Sequence, residues 1–124
     1  MQLQESGEMY LETILILSRQ KPAVRAIDIV EYMQFSKPSV SRAMGLLKNG
    51  GFITVDGDGH IRLTDTGREV AEKIYTRHTV LTKVLTSLGV PEDIAAADAC
   101  KMEHIISDET FAALQSHIHA HEQS

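Results

Sequence analysis

Residues 36–63 read SKPSVSRAMGLLKNGGFITVDGDGHIRL, and this stretch decides the fold. Its first half repeats apolar residues at helical spacing, which predicts a helix over Lys37–Asn49 with one buried stripe. Ser36 is suited to cap this helix by accepting from free backbone N–H groups, and Pro38 is tolerated in a first helical turn. The predicted buried stripe consists of Val40, Ala43, Met44 and Leu47.

The second half of the stretch predicts a β-hairpin. Two β-prone runs, residues 52–55 and 60–63, flank Asp56-Gly57-Asp58-Gly59, which has the composition of a turn. The turn also resembles the start of a calcium loop. The later ligands of such a loop are missing, above all its closing glutamate, so we predict no calcium site here.

Upstream of this stretch, the apolar spacing predicts helices over residues 8–20 and 24–33. Gly7 is a plausible start for the first of them, and Lys21-Pro22 ends it. Two short helices joined by a tight turn and followed by a hairpin are typical of a winged helix-turn-helix, which inserts its second helix into the major groove of DNA. The alternative is an ordinary helical hairpin with a solvated basic face. The predicted DNA-contacting residues are Arg25, Ser36, Lys37, Pro38, Ser39, Ser41, Arg42, Lys48 and Arg62.

The distribution of charge is compatible with DNA binding by the front half alone. The net charge is −5, but the acidic excess lies after Arg62, and residues before it are balanced. What matters for nucleic acid is the charge of the contacting face. No apolar run has the length of a membrane span, and residues 1–6 lack the features of a signal peptide, so we expect a cytoplasmic protein without membrane contact.

The back half predicts three further helices. The first runs to about Leu88, and Thr66 with Glu69, or else Thr64 or Asp65, caps its start. Pro91 begins the next helix and Ser107 caps the last one. A tail containing His117, His119 and His121 is expected to fray, although these histidines could bind metal adventitiously.

Residues 99–109, ACKMEHIISDE, contain a candidate metal site. Cys100, Glu103 and His104 are spaced i, i+3 and i+4, so on a helix they share one face. A thiolate, a carboxylate and an imidazole form a ligand set for a divalent transition metal. As the single cysteine, Cys100 could equally be a core thiol or a reactive thiol. Each of three further residues has an ordinary explanation that involves no metal. His78 could be a packing or surface residue, Met9 a core residue and Glu12 a solvent-exposed charge.

The motifs of this chain resemble, in their order, those of the family of the diphtheria toxin repressor and the manganese transport regulator. They are Glu8-Met9-Tyr10-Leu11-Glu12, Ser36-Lys37-Pro38-Ser39-Val40-Ser41, Leu63-Thr64-Asp65-Thr66-Gly67, Arg77-His78, and Cys100-Lys101-Met102-Glu103-His104 with Ser107-Asp108-Glu109. The resemblance implies a mainly α fold with a small β-hairpin wing. It implies a winged helix-turn-helix DNA-binding domain at residues 1–70 and a helical dimerisation and metal-binding domain at residues 71–124.

The resemblance also implies the ligands. The iron branch of the family matches Met9, Cys100, Glu103 and His104, whereas the manganese branch matches Glu12 and His78, so this chain mixes two patterns. A second iron-branch site looks degraded, unless His78 and Glu12 build a binuclear cluster. The chain is also too short for the C-terminal barrel of longer members. The soft sulfurs of Met9 and Cys100 favour Fe²⁺ over Mn²⁺, and Zn²⁺, Co²⁺ or Ni²⁺ could bind in vitro.

The resulting expectation is a metal-dependent repressor that binds a palindromic double-stranded DNA operator as a homodimer. Three alternatives remain. One is a winged-helix regulator that senses an organic ligand or thiol oxidation through Cys100. Another is a metal-buffering or protein-interaction module whose winged helix has lost DNA binding. The third is a zinc enzyme, which the absence of a His-Glu-x-x-His motif and of an acid–base pair disfavours, so we expect no enzyme.

Overall fold

The computed structural model describes residues 5–122, which divide into two compact units between Glu72 and Lys73. The signal-peptide expectation depends partly on residues 1–4, which lie outside the described residues. Within the described part of the chain, no helix combines the length and the apolar character needed to cross a membrane.

The first unit contains the predicted helix-turn-helix and hairpin, followed by the start of a long helix. The hairpin strands pair antiparallel, with Ile53 opposite Leu63 and Val55 opposite Ile61. Its elements are α1 (Glu5–Gln20), α2 (Ala26–Met33), α3 (Lys37–Asn49), β1 (Ile53–Val55), β2 (Ile61–Leu63) and the first part of α4 (Asp65–Ser87).

Two helix starts differ from the prediction. α1 begins at Glu5, so Gly7 lies inside the helix and is not its boundary. α2 begins at Ala26 and not at residue 24, because Val24 forms an isolated antiparallel bridge with Ile61 of the hairpin. Apolar periodicity includes Val24 because it is buried, but it is buried in an extended conformation.

The first unit encloses an aliphatic core. Leu11, Ile14 and Ile29 are fully buried, and α3 contributes the predicted stripe of Val40, Met44 and Leu47, with Ala43 half-buried. This burial leaves the opposite face of α3 exposed, which is the face that carries its polar and basic residues. The core therefore fixes which side of α3 faces outward.

A tight junction joins the hairpin to α4. The Thr64 hydroxyl accepts from the Gly67 N–H at 3.1 Å and so caps the helix, which selects Thr64 among the predicted capping residues. A Cβ atom at Gly67 would lie 1.9 Å from the Phe52 carbonyl oxygen. Only glycine therefore allows this close approach of helix and strand.

The second unit consists of the rest of α4 with α5 (Glu92–Met102) and α6 (Asp108–Glu122). Its buried apolar side chains include Ile74, Leu81 and Ile118. The helix predicted to run to about Leu88 ends at Ser87, and Leu88 itself is 75% exposed. The prediction that the tail is frayed is also wrong, since α6 remains helical to Glu122.

Candidate metal centre

Glu103 is the most deeply buried acidic side chain of the second unit, with no exposed surface. α5 ends at Met102, and the Glu103 N–H donates to the Ala99 carbonyl at 2.9 Å as the helix closes. The prediction that one helix carries Cys100, Glu103 and His104 is therefore wrong at its C-terminal end, because Glu103 and His104 lie in the turn that follows. This turn points the carboxylate into the interior of the unit.

Two imidazoles approach the Glu103 carboxylate, one at each oxygen. His78 Nδ1, on α4, lies 3.0 Å from Oε2, and His104 Nε2 lies 3.4 Å from Oε1. The His104 side chain is fully buried, whereas that of His78 is 32% exposed. Ligands that share a metal ion at bond lengths of about 2.0–2.2 Å lie roughly 3 Å apart, so these separations fit a metal site.

The chemistry of the cluster also fits a metal. A buried carboxylate is costly unless a cation or a full set of hydrogen bonds accompanies it. An imidazole provides a positive charge only when it is protonated, whereas a divalent ion carries its charge at every pH. Imidazole nitrogen and carboxylate oxygen are ligands for Mn²⁺, Fe²⁺ and Zn²⁺. Glu103, His78 and His104 are therefore able to hold such an ion.

Cys100 lies on α5 one turn before Glu103 and is half-buried. Within the second unit, Cys100, Glu103 and His104 do not bring three donor atoms within 4.8 Å of one another. The three residues that the sequence spacing placed together are thus neighbours in the fold, but they do not form a preassembled set of three metal ligands. The pairing of Glu103 with His78 spans 25 residues, and no local spacing could predict it.

The remaining predicted ligands, Met9 and Glu12, lie on α1 in the first unit. Their separation of three residues places them on the same side of the helix. They alternate with Tyr10, Leu11 and Thr13, all of which are buried.

Arg77 is a structural residue of the candidate centre, and the sequence alone predicts no role for it. It is 6% exposed, and its Nη1 donates to the carbonyls of Glu103 at 3.0 Å and Ile106 at 2.9 Å. Its Nη2 donates to the Asp108 carboxylate, and its guanidinium lies 5.4 Å from the Phe111 ring centre. Arg77 thus fixes the turn that carries Glu103 and His104 against α4.

Asp108 is held by two cations. Lys73 Nζ lies 3.2 Å from its carboxylate, and Arg77 contacts the same oxygen. The hydrogen bond and charge of Lys73, followed by the charge of Arg77, lower the pKa of the Asp108 carboxyl below its usual value. Because Ser107 caps α6 through the Thr110 N–H at 3.1 Å, the turn is tied to α6 as well as to α4.

The predicted DNA-contacting residues all lie at the surface of the first unit. The Ser36 hydroxyl accepts from the Ser39 N–H at 3.3 Å, which confirms it as the cap of α3. All nine predicted residues are exposed: Arg25, Ser36, Lys37, Pro38, Ser39, Ser41, Arg42, Lys48 and Arg62. α3 therefore presents hydroxyl groups and cationic side chains that are able to bind phosphates or base edges.

Arg25 connects the start of α2 to the hairpin. Its guanidinium lies 3.1 Å from His60 Nε2, and its backbone N–H donates to the Asp28 carboxylate at 2.9 Å. Lys21 binds the same carboxylate at 2.6 Å. The hydrogen bond from Lys21, followed by that from the Arg25 N–H, lowers the pKa of Asp28. These contacts fix the position of Arg25 beside the wing.

The wing turn is closed by Asp56. Its Oδ1 accepts from the N–H groups of Asp58 and His60, both at 2.9 Å, and the bond from His60 is the main cause of its lowered pKa. Donor atoms of Asp56, Asp58 and His60 lie within 4.8 Å of one another. The hydrogen bonds that close the turn bring these side chains together.

Two family models match consecutive parts of the chain. Residues 2–61 match the N-terminal DNA-binding domain of iron-dependent repressors. Residues 64–123 match the metal-binding and dimerisation domain of the same repressors.

Individual relatives agree with these matches. The iron-dependent repressor IdeR of Mycobacterium bovis is 31% identical over 109 residues, which cover 87% of this chain and 47% of IdeR. The diphtheria toxin repressor of Corynebacterium diphtheriae is 31% identical over 108 residues, which cover 86% and 48% of the two chains. The chain thus spans about half the length of these curated relatives. The structure of the manganese regulator SloR superposes with a TM-score of 0.82 at 26% identity, covering 91% of this chain and 53% of SloR.

Proposed function

Because the chain belongs to the family of iron-dependent repressors, we propose that it is a transcriptional repressor whose binding to DNA is activated by a divalent transition metal. The observation that carries the proposal is the fully buried Glu103 carboxylate, which meets an imidazole at each oxygen. A protein of this kind needs no catalytic group, and we assign it no enzymatic activity. Its location is then the cytoplasm, where it reaches its DNA.

The metal ligands are His78, Glu103 and His104, completed by Cys100 and by Met9 and Glu12 of α1. His78 and His104 approach different oxygens of Glu103, so these two imidazoles would hold an ion together with this carboxylate. Cys100, Glu103 and His104 do not bring three donor atoms within 4.8 Å of one another, so the three would have to converge further to bind one ion. The sulfurs of Met9 and Cys100 favour Fe²⁺ over Mn²⁺ as the physiological metal.

The mechanism follows from the division of the ligands between two domains, residues 1–70 and 71–124. Ligands from both domains that held one ion would restrict the relative orientation of the domains. In a homodimer this restriction would set the spacing of two α3 helices, which must match half-sites of a palindromic operator. The affinity for DNA would then rise when the ligands are occupied, and the affinity for metal would rise by the same factor when DNA is bound.

The exposed apolar residues of the second unit support dimerisation. Leu88, Ile94 and Ile105 are 75%, 50% and 74% exposed. We assign these exposed apolar side chains to the homodimer interface, in which each chain would cover apolar residues of the other.

On the DNA side, α3 supplies the base and phosphate contacts. Arg42, one turn into the exposed face, is suited to guanine edges or phosphate, and Lys37 and Lys48 to phosphate. Arg62 and Arg25 extend the cationic surface to the wing, where Arg25 is held by His60.

The test is fluorescence anisotropy of labelled palindromic DNA under anaerobic conditions, with Fe²⁺, Mn²⁺ and Zn²⁺ titrated separately against a chelated control. We expect binding only in the presence of metal, with half-saturation points that rank the ions. The metal content of the chain, measured after removal of excess ion, gives the number of bound ions. Equal binding in chelator would contradict the proposal. If binding then responded to peroxide, Cys100 would be the sensor of a thiol-based regulator.

A further inference from the structure

The C-terminal helix carries a pair of histidines that the proposed function does not use. His117 and His121 lie one turn apart on α6, and both are exposed. Their rings face each other, with centroids 5.8 Å apart and planes inclined by 21°. The frayed tail expected from the sequence would not hold two imidazoles in this arrangement, but a continuous helix does.

We propose that His117 and His121 form a second divalent-metal site, separate from the centre at Glu103, which takes Zn²⁺, Ni²⁺, Cu²⁺ or Co²⁺. Two histidines at i and i+4 on one helical face are the spacing at which imidazoles chelate one ion in helical zinc motifs. An imidazole nitrogen binds a metal in the plane of its ring, so both side chains must rotate out of their stacked arrangement to direct one nitrogen each at a common ion. Both side chains are exposed, so binding requires no burial of charge.

The donor set determines which ions bind. Among the described residues, no other His, Cys, Asp or Glu brings a donor atom into a trio with these two imidazoles. Two neutral nitrogen ligands with water in the remaining positions favour the later ions of the Irving–Williams order. Mn²⁺ and Fe²⁺ bind such a pair weakly. The site therefore differs in selectivity from a centre that contains the Glu103 carboxylate.

The chain provides a matched control. His119 lies between the two ligands in sequence but two residues from each, so it points to a different side of the helix. Its substitution removes one exposed histidine of the same helix and leaves the pair intact. Alanine favours helix at all three positions, so none of the variants is expected to unfold α6.

The experiment counts Ni²⁺ bound to the full chain by equilibrium dialysis and follows the imidazole resonances by NMR. We expect the wild type and His119→Ala to bind one more equivalent than the double variant His117→Ala/His121→Ala. In the wild type, the resonances of His117 and His121 should shift together before that of His119. Equal stoichiometry in the double variant, or loss of the equivalent in His119→Ala, would overturn the proposal.

A second readout separates this site from the repressor mechanism. Metal-dependent DNA binding of the double variant is expected to equal that of the wild type in Fe²⁺ or Mn²⁺. If the double variant loses DNA binding together with the Ni²⁺ equivalent, the two histidines are not a separate site. Absence of metal-dependent DNA binding in the wild type would instead reject the proposed function and leave the Ni²⁺ count interpretable.

Discussion

The two units of the molecule differ in the composition of their interiors. In the first unit the least exposed side chains are aliphatic, such as Leu11 and Ile14, and the buried polar side chain is Thr13. In the second unit both Arg77 and Glu103 are buried, and they are the buried charged residues among those the structure describes. An apolar interior stabilises a fold by itself, whereas buried charges do so only with the right partners. The interior of the second unit therefore depends on specific partners for its buried charges.

The largest effect is expected from removing the charge of Glu103. Glu103→Gln keeps the shape of the side chain but takes a charged oxygen from the metal site. We expect metal-stimulated DNA binding to fall at least 100-fold, which corresponds to about 2.7 kcal/mol. Fluorescence anisotropy with titrated metal measures the effect.

Glu72→Gln is the matched control for this variant, because Glu72 is an exposed glutamate of α4. Its metal response is expected to equal that of the wild type. If Glu103→Gln responded to metal as Glu72→Gln does, the buried carboxylate would be a structural group and the contrast between the two interiors would lose its functional meaning.

In the first unit, the largest structural effect is expected at the junction of hairpin and α4. Gly67→Ala places a methyl group against the Phe52 carbonyl, where a Cβ atom would lie 1.9 Å from the oxygen. We expect a loss of about 3 kcal/mol in unfolding free energy, because backbone must move on both sides. Urea denaturation followed by circular dichroism measures this loss.

Gly45→Ala is the control for Gly67→Ala. Gly45 lies within α3, and a Cβ atom there meets nothing within 4 Å. The substitution is expected to stabilise the protein by roughly 0.5–1 kcal/mol, the usual gain of alanine over glycine in a helix. A similar loss in both variants would show that the close approach at Gly67 is unimportant.

In the second unit, Arg77→Met tests the buried charge that serves structure. The variant leaves the carbonyls of Glu103 and Ile106 without their charged donor. We expect a loss of about 2 kcal/mol in unfolding free energy. Metal affinity should also fall, because the turn carrying Glu103 and His104 is no longer held. An unchanged unfolding free energy would mean that the buried cation of Arg77 does not stabilise the second unit.

The same contrast explains which parts of the fold could be predicted from the sequence. The first unit depends on local signals, such as the stripe on α3, the Ser36 cap and the Asp-Gly turn of the wing, and these were predicted correctly. Val24 was misassigned because periodicity detects its burial but not its pairing with Ile61. Contact between distant segments overrode local preference there.

The metal centre was only partly predictable. Local spacing singled out Cys100, Glu103 and His104, and the family resemblance added His78, Met9 and Glu12. The end of α5 at Met102 was missed, since the apolar and helix-favouring sequence continues past it. Arg77 was missed as well. Its partners lie 26 and 29 residues away and are backbone carbonyls, which every residue has, so residue types do not reveal them.

The smallest expected effect is a dependence of stability on pH that comes from Asp108. The hydrogen bond and charge of Lys73, with the charge of Arg77, lower the pKa of this carboxyl in the folded state. Its contribution is therefore fully present above the unfolded-state pKa of about 3.9 and is lost as the pH falls through the lower folded-state value. Because the side chain is 71% exposed, water screens the interaction and the loss is small.

The unfolding free energy measured in urea should fall below about pH 4 by more in the wild type than in Asp108→Asn, which lacks the titrating group. Identical pH profiles would mean that Arg77 stabilises the turn through the carbonyls of Glu103 and Ile106 alone.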